Sequence, residues 1–161
     1  MVIDIEEMPG HLVRRFQQIA VAIFHAEVGK TGFDLTPVQY AALARISTNP
    51  GIDQATLAGL IAYDRTTITG VVDRLVHKGW LTRTVSGRDR RARVLRITEE
   101  GLDVLRRIQP AVEEAQRIML GGLTEAEAKD LLRLLHKATA AANDLSRAPL
   151  RAASTPASDA D

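Results

Sequence analysis

The apolar residues of this chain recur at three- and four-residue steps over most of its length, which predicts a mainly helical protein. The first apolar stripe runs from Met8 to Val28 and predicts an amphipathic helix that ends near Gly29. Thr36 and Pro37 have the residue types of an N-cap and a first helical position. They predict a second helix, which is closed by a Pro-Gly pair at residues 50–51.

Two short helices and a hairpin are predicted in the middle of the chain. Asp53 opens a helix through Ile61, and a longer helix follows from Tyr63-Asp64 to Lys78. Residues 80–85 and 92–97 alternate between apolar and polar side chains, which is the pattern of two strands. A polar, arginine-rich stretch joins them, so the hairpin has a basic tip.

Two further helices are predicted after the hairpin. Thr98 caps a long helix that runs to about Leu120, and residues 124–127 form a capping box for a final helix that runs to about Ser146. Residues 147–161 are rich in Ala, Ser, Pro and Asp, and this composition predicts a disordered tail.

Composition excludes several classes of protein. The chain has 161 residues, of which 45% are hydrophobic, enough for one ordinary core. It has no cysteine, which excludes disulfides, cysteine-based zinc sites and thiol-based redox sensing. The N-terminus lacks the features of a signal peptide, and no stretch approaches about 18 consecutive apolar residues. These features predict a cytoplasmic protein without a membrane partner.

Charge is segregated along the chain, although the net charge is only +1. Between Asp64 and Arg96, nine basic residues outnumber three acidic ones, for a local charge of +6 that leaves −5 for the rest of the chain. A local excess of this kind is typical of a module that binds a polyanion such as DNA.

The two short helices and the basic hairpin together have the pattern of a winged helix-turn-helix domain. The second helix is sized for the major groove of DNA, and the hairpin tip can reach the neighbouring minor groove. An ordinary amphipathic surface helix would show the same separation of polar and apolar positions, but the adjoining hairpin favours DNA binding. The predicted fold is therefore mainly α, with a two-stranded β wing.

Four stretches of the sequence resemble the MarR family of transcriptional regulators. They are Leu35–Tyr40, Asp64–Arg83, Asp89–Arg93 and Leu95–Gly101. The resemblance implies a homodimer that reads a pseudo-palindromic DNA operator, in the branch that controls the catabolism of aromatic acids of the nicotinate or hydroxybenzoate type. It also implies a division of the chain into a DNA-binding domain at 35–98, helices of a dimerisation region at 1–34 and 99–146, and a tail at 147–161.

The same resemblance implies roles for individual residues. On the second short helix, bases and phosphates would be met by Arg65, Thr66, Thr67 and Thr69, and Arg74 would contact the backbone. In the wing, Asp89 would brace Arg91, and the minor groove would receive exposed arginines from Arg88, Arg90 and Arg91. An arginine fork suits guanine edges and the negative potential of a narrow minor groove, whereas an unpaired Asp89 would repel DNA. Asp89 is therefore interpreted as wing scaffold.

Two other residues of this helix need their own interpretation. Asp73, next to Arg74, indicates a structural ion pair rather than a catalytic acid. Gly70 stands where many members of the family carry a larger polar or basic residue, and it costs about 1 kcal/mol of helix stability relative to alanine. It either permits a close approach to DNA or removes one contact, and the sequence is compatible with both.

Members of the family are usually released from DNA by small anionic aromatic molecules, through a pocket between the dimerisation helices and the DNA-binding lobe. An arginine with a histidine can pair a carboxylate there while Phe16, Tyr40 and Leu43 pack the ring. We therefore hypothesise a small aromatic carboxylate effector of the hydroxybenzoate, cinnamate or hydroxynicotinate type. In an alternative interpretation, the arginines form interface ion pairs and the histidine is a surface residue. The candidate effector-binding residues are His11, Arg14, Arg15, Gln18, Gln39 and Tyr40.

Other functions find little support in the sequence. There is no nucleophile elbow, phosphate-binding glycine loop or pair of convergent carboxylates, so an enzyme is not expected. The histidines lack metal-ligand spacing, and no metal or cofactor is expected. The leading hypothesis is thus a ligand-responsive regulator that acts as a repressor. The remaining alternative is a winged-helix protein-interaction module without sequence-specific DNA binding.

Overall fold

The structure, a computed structural model, describes residues 4–87 and 89–152. Within these ranges the chain forms six α-helices, one antiparallel pair of strands and two short 3-10 helices, Ile5–Glu7 and Asn143–Leu145. This confirms the mainly helical winged helix-turn-helix fold. The main elements are α1 (Pro9–Gly29), α2 (Pro37–Thr48), α3 (Gln54–Leu60), α4 (Arg65–His77), β1 (Leu81–Val85), β2 (Arg93–Ile97), α5 (Glu99–Met119) and α6 (Glu125–Ala141).

Four helices begin at side-chain caps that the sequence predicts. In each, a side-chain oxygen accepts a hydrogen bond from the backbone amide three positions later, which satisfies an amide left free in the first turn. Glu127 also accepts from the amide of Thr124 at 2.8 Å, which completes the capping box. The pairs, cap first, are Asp53 and Thr56 (2.9 Å), Asp64 and Thr67 (2.9 Å), Thr98 and Gly101 (3.0 Å), and Thr124 and Glu127 (3.3 Å).

The chain divides into two compact units. The helical unit comprises the chain up to Pro37 together with Asp103–Leu135, and so contains α1, most of α5 and the first part of α6. The winged unit comprises Val38–Leu102 and the chain from His136 onward. It therefore contains α3, α4 and the wing as well as the described end of the chain.

In the helical unit, α1 and α5 supply most of the buried side chains and α6 supplies none. An apolar cavity of about 670 Å³ lies among the three helices, lined by side chains that include Phe16, Val21 and Leu131. No helix in the described ranges is long and apolar enough to span a membrane. The buried residues of this unit include Phe24, Val28, Val104, Ile108, Val112 and Ala115.

In the winged unit, the core lies beneath α2, α3, α4 and the base of the wing. The strands pair from Leu81 with Ile97 to Val85 with Arg93, and Leu81 and Leu95 point into the core. The amide of Leu95 donates to the carbonyl of Ile52 at 2.9 Å, so β2 is also tied to the segment that precedes α3. Other fully buried side chains are Leu43, Ile46, Leu57, Ile68 and Leu75.

Within the predicted tail at 147–161, the described residues 147–152 make backbone hydrogen bonds to other parts of the chain. The side-chain amide of Asn143 donates to the carbonyl of Leu150 at 3.1 Å and accepts from the Leu150 amide at 2.8 Å, and the amide of Arg151 donates to the carbonyl of Gly59 at 2.9 Å. These hydrogen bonds pair the backbone at Leu150 and Arg151, and the disordered tail at 147–161 stays a prediction. Residues 153–161 lie outside the described residues.

The end of α4 is joined to both strands of the wing at Trp80. The amide of Trp80 donates to the carbonyl of Leu75 and that of Gly79 to Val76, both at 3.0 Å, which is the hydrogen-bond pair of a Schellman motif. Gly79 has φ +77°, a left-handed conformation that favours glycine. The amide of Thr98 donates to the carbonyl of Trp80 at 3.1 Å, so the residue after β2 is bound to the residue before β1.

Gly101 allows α5 to start against this junction. A Cβ atom at residue 101 would lie 2.3 Å from the carbonyl oxygen of Trp80 and 2.8 Å from Cγ1 of Ile97. We expect Gly101→Ala to destabilise the protein by about 1–3 kcal/mol in urea unfolding, because a backbone oxygen cannot move away cheaply. Gly70→Ala is the matched control: its Cβ would meet nothing within 4 Å, so it should stabilise α4 by about 1 kcal/mol. Wild-type stability in Gly101→Ala would contradict the packing of the junction.

Candidate nucleic-acid interface

The exposed face of α4 carries the residues that the sequence predicts for DNA contact. Arg65, Thr66, Thr67, Thr69 and Arg74 are all exposed. The opposite face is apolar and almost completely buried, because its side chains fill the core of the winged unit; it consists of Ile68, Val71, Val72 and Leu75. This division leaves one polar face on a helix of 13 residues, about 20 Å long at 1.5 Å per residue.

The first turn of α4 is held by Asp64. One carboxylate oxygen accepts from the amide of Thr67 at 2.9 Å and the other accepts from the Thr67 hydroxyl at 2.7 Å. These hydrogen bonds, the backbone one above all, lower the pKa of the Asp64 carboxyl below its ordinary value and keep it ionised. The hydroxyl proton of Thr67 is therefore directed to its own helix cap, even though the residue is exposed.

Gln54, which the sequence analysis did not single out, orients Thr69. Its side-chain amide donates to the Thr69 hydroxyl at 2.9 Å, and that hydroxyl donates to the carbonyl of Arg65 at 2.9 Å. The side-chain oxygen of Gln54, Oε1, is buried and has no hydrogen-bond partner among the described residues. The pair links α3 to α4 across 15 positions of sequence, a separation that no local pattern reveals.

Asp89 shapes the tip of the wing through backbone contacts. Its carboxylate accepts from the amide of Arg91 at 2.8 Å, and its own carbonyl accepts from the amide of Ala92 at 3.0 Å. Arg90 and Arg91 are exposed at this tip. The prediction for Arg88 lies outside the described residues.

Asp73 forms an ion pair with Arg83 of β1 and not with its sequence neighbour Arg74. The carboxylate lies 2.6 Å from the Arg83 guanidinium. Both side chains are partly exposed, so the pair contributes at most about 1 kcal/mol to stability. Its structural effect is to link the exposed side of α4 to the first strand of the wing.

The start of α4 and the wing face a common cleft. The cleft has a volume of about 550 Å³, and its walls include Gln54, Arg65 and Thr69 from the helices and Arg91 and Arg93 from the wing. Three arginines thus line one concave surface of the winged unit. Asp89 also lines it, and its carboxylate accepts from the Arg91 amide.

Comparison with known proteins gives this surface its context. The sequence profile of the MarR family matches residues 35–92. The chain is 30% identical to the HTH-type transcriptional repressor NicR of Pseudomonas putida over 83% of this chain and 84% of NicR. The chain belongs to the MarR family. It is accordingly a DNA-binding transcriptional regulator and not an enzyme.

Two solved structures share this MarR fold closely. The regulator PcaV of Streptomyces coelicolor, in complex with its natural ligand, has a TM-score of 0.81 at 33% identity and covers 88% of this chain and 99% of PcaV. BpsR of Bordetella bronchiseptica, whose DNA binding is regulated by 6-hydroxynicotinic acid, has a TM-score of 0.80 at 27% identity over 86% of this chain and 98% of BpsR.

The predicted effector residues of this MarR protein divide between the two units. In the helical unit, Arg14 donates to the side-chain oxygen of Gln18 at 2.9 Å, while Arg15 is exposed and His11 is half-buried. None of these four side chains lines the apolar cavity of that unit, whose lining from α1 includes Phe16. In the winged unit, Gln39 is buried and Tyr40 is half-buried. Their role in ligand binding stays a prediction.

Proposed function

We propose that this MarR-family regulator is a repressor that binds a pseudo-palindromic operator as a homodimer and is released by a small aromatic carboxylate. The observation that carries the DNA-binding part is the shared cleft, because it places Arg65 of α4 and Arg91 of the wing on one surface. The major groove, about 12 Å wide, accepts a helix, and the adjacent minor groove accepts arginine side chains.

The contacts of α4 suggest distinct roles for its residues. Arg65 is exposed and would pair with a guanine edge, and Arg74, also exposed, would contact a backbone phosphate. Thr69 has its hydroxyl engaged by Gln54 and by the Arg65 carbonyl, so it offers chiefly its methyl group, which suits the methyl group of thymine. Thr66 and Thr67 would face the major groove beside Arg65 and Thr69.

The wing would hold the DNA from its minor-groove side. Asp89 fixes the turn by accepting from the Arg91 amide, so that the arginine side chains project from a rigid loop. Such contacts depend on groove width and phosphate charge and carry little base sequence. Arg90 and Arg91 therefore supply affinity, and Arg88 belongs to the same proposed set.

The homodimer is supported by the unpartnered apolar side chains of the helical unit. α6 buries none of its residues, and its apolar side chains Leu132 and Leu134 are 47% and 52% exposed. On α1, Leu12 and Val13 are also exposed and border the apolar cavity. A second copy would cover these surfaces, as isologous dimers do. Two copies present two α4 helices, which requires an operator with two inverted half-sites.

The effector proposal is supported by the relatives together with candidate anchors in this chain. BpsR responds to 6-hydroxynicotinic acid, an aromatic carboxylate. Here the carboxylate would pair with Arg15 and His11, with Arg14, Gln18, Gln39 and Tyr40 as further candidates. A charge-assisted, bidentate contact from one arginine gives such a site both affinity and orientation.

The DNA-binding proposal predicts a strong dependence of affinity on salt. Each arginine that neutralises a phosphate releases counterions, so Arg91→Ala should weaken binding on all duplexes and lower the slope of log affinity against log salt by about 1 for each bound subunit. Fluorescence anisotropy at several salt concentrations measures this slope. Arg106→Ala, an exposed arginine of α5, is the control and should leave it unchanged. Salt-independent binding would instead favour a winged-helix protein-interaction module.

The effector proposal predicts saturable binding of an aromatic acid. In isothermal titration against hydroxybenzoates, cinnamates and hydroxynicotinates, at least one should bind, and Arg15→Ala should weaken it about tenfold, or about 1.4 kcal/mol, by removing the carboxylate partner. Arg106→Ala again serves as the matched arginine control. If no acid in the panel binds, or if both variants bind equally well, the proposed anchor is contradicted.

A further inference from the structure

The end of the chain forms an arm on the winged unit. We propose that this C-terminal arm, residues 143–152, is a second DNA-contacting element whose Arg147 and Arg151 bind backbone phosphates beside the first turn of α4. The proposal rests on the proposed binding of DNA by α4. It concerns a segment outside the helix-turn-helix and the wing.

Hydrogen bonds hold the arm in place at both ends. Near its start, the side chain of Asn143 exchanges two hydrogen bonds with the backbone of Leu150, which folds the arm back on itself. Near its end, the amide of Arg151 donates to the carbonyl of Gly59 in α3 at 2.9 Å. The arm is therefore fixed to the first helix of the helix-turn-helix.

Gly59 provides the space in which the arm lies. A Cβ atom at residue 59 would be 3.1 Å from Cδ and 3.2 Å from Cβ of Arg151, closer than ordinary van der Waals contact. The aliphatic part of Arg151 thus occupies the volume that a side chain on α3 would fill. A glycine inside a helix lowers helix stability relative to alanine, and here it permits this contact.

The arm and the start of α4 line one cleft of about 530 Å³. Arg147 and Arg151 come from the arm, Arg65 comes from α4, and Thr56 of α3 also lines the cleft. The acidic residue in the lining is Asp64, whose carboxylate is engaged by the amide and hydroxyl of Thr67. Three arginines and one aspartate line the cleft, so its lining carries a net positive charge.

A phosphate of the DNA backbone fits the position and the chemistry of this cleft. A helix inserted in the major groove runs between two rows of phosphates, so side chains that flank its first turn face one of these rows. Guanidinium groups bind phosphate through several hydrogen bonds at once. Contacts of this kind are independent of sequence, and the arm should therefore add affinity equally on operator and random DNA.

The test is the double variant Arg147→Ala/Arg151→Ala in the full chain. It should lower the slope of log affinity against log salt by about 2 for each bound arm, one for each lost phosphate contact. It should also weaken binding to operator and random duplexes by the same factor in fluorescence anisotropy. Arg106→Ala/Lys129→Ala removes the same charge from the helical unit and should leave the slope unchanged.

A second variant separates the position of the arm from its charge. Gly59→Leu fills the space under Arg151 and keeps both arginines, and it should reduce the slope as the double variant does. The proposal is overturned if the double variant keeps the wild-type slope while Arg91→Ala lowers it; DNA binding by α4 and the wing would then stand. If the wild-type chain binds no duplex at all, the proposed function fails and the arm proposal fails with it.

Discussion

The position of the whole DNA-facing surface depends on the backbone of Trp80. Its amide ends α4 and its carbonyl receives the amide of Thr98, where the chain leaves the wing. Gly101 packs against the same carbonyl oxygen, in a position where a Cβ atom would clash with it. The wing is therefore tied to the end of α4, which places Arg65 and Arg91 on one cleft.

The polar residues on this surface are ordered before any DNA arrives. Thr67 is engaged by Asp64, and Thr69 is engaged by Gln54 and the carbonyl of Arg65. Side chains held in this way lose less conformational entropy on binding than free ones, which leaves more of the contact energy for affinity. Long arginine side chains, anchored at their backbone, supply the adaptable part of the surface.

Sequence alone predicted the features that rest on local interactions. Caps such as Asp64 and Thr98 act on an amide three residues away, so the starts of α4 and α5 can be derived from a short window. Contacts between distant residues could not be derived in this way. The pairing of Asp73 with Arg83 and the support of Thr69 by Gln54 depend on how the helices and wing pack, and the docking of Arg151 on Gly59 joins opposite parts of the chain.

The central claim is that a dimer reads DNA through α4, and selection of bound duplexes from a random library tests it most directly. The wild-type chain should enrich two inverted half-sites whose centres lie about 10 base pairs, or a multiple of that distance, apart. Arg65→Ala should lose the preference for one base pair in each half-site and keep the spacing. Failure to enrich any sequence, or enrichment of a single half-site, would contradict a dimeric regulator that reads DNA through α4.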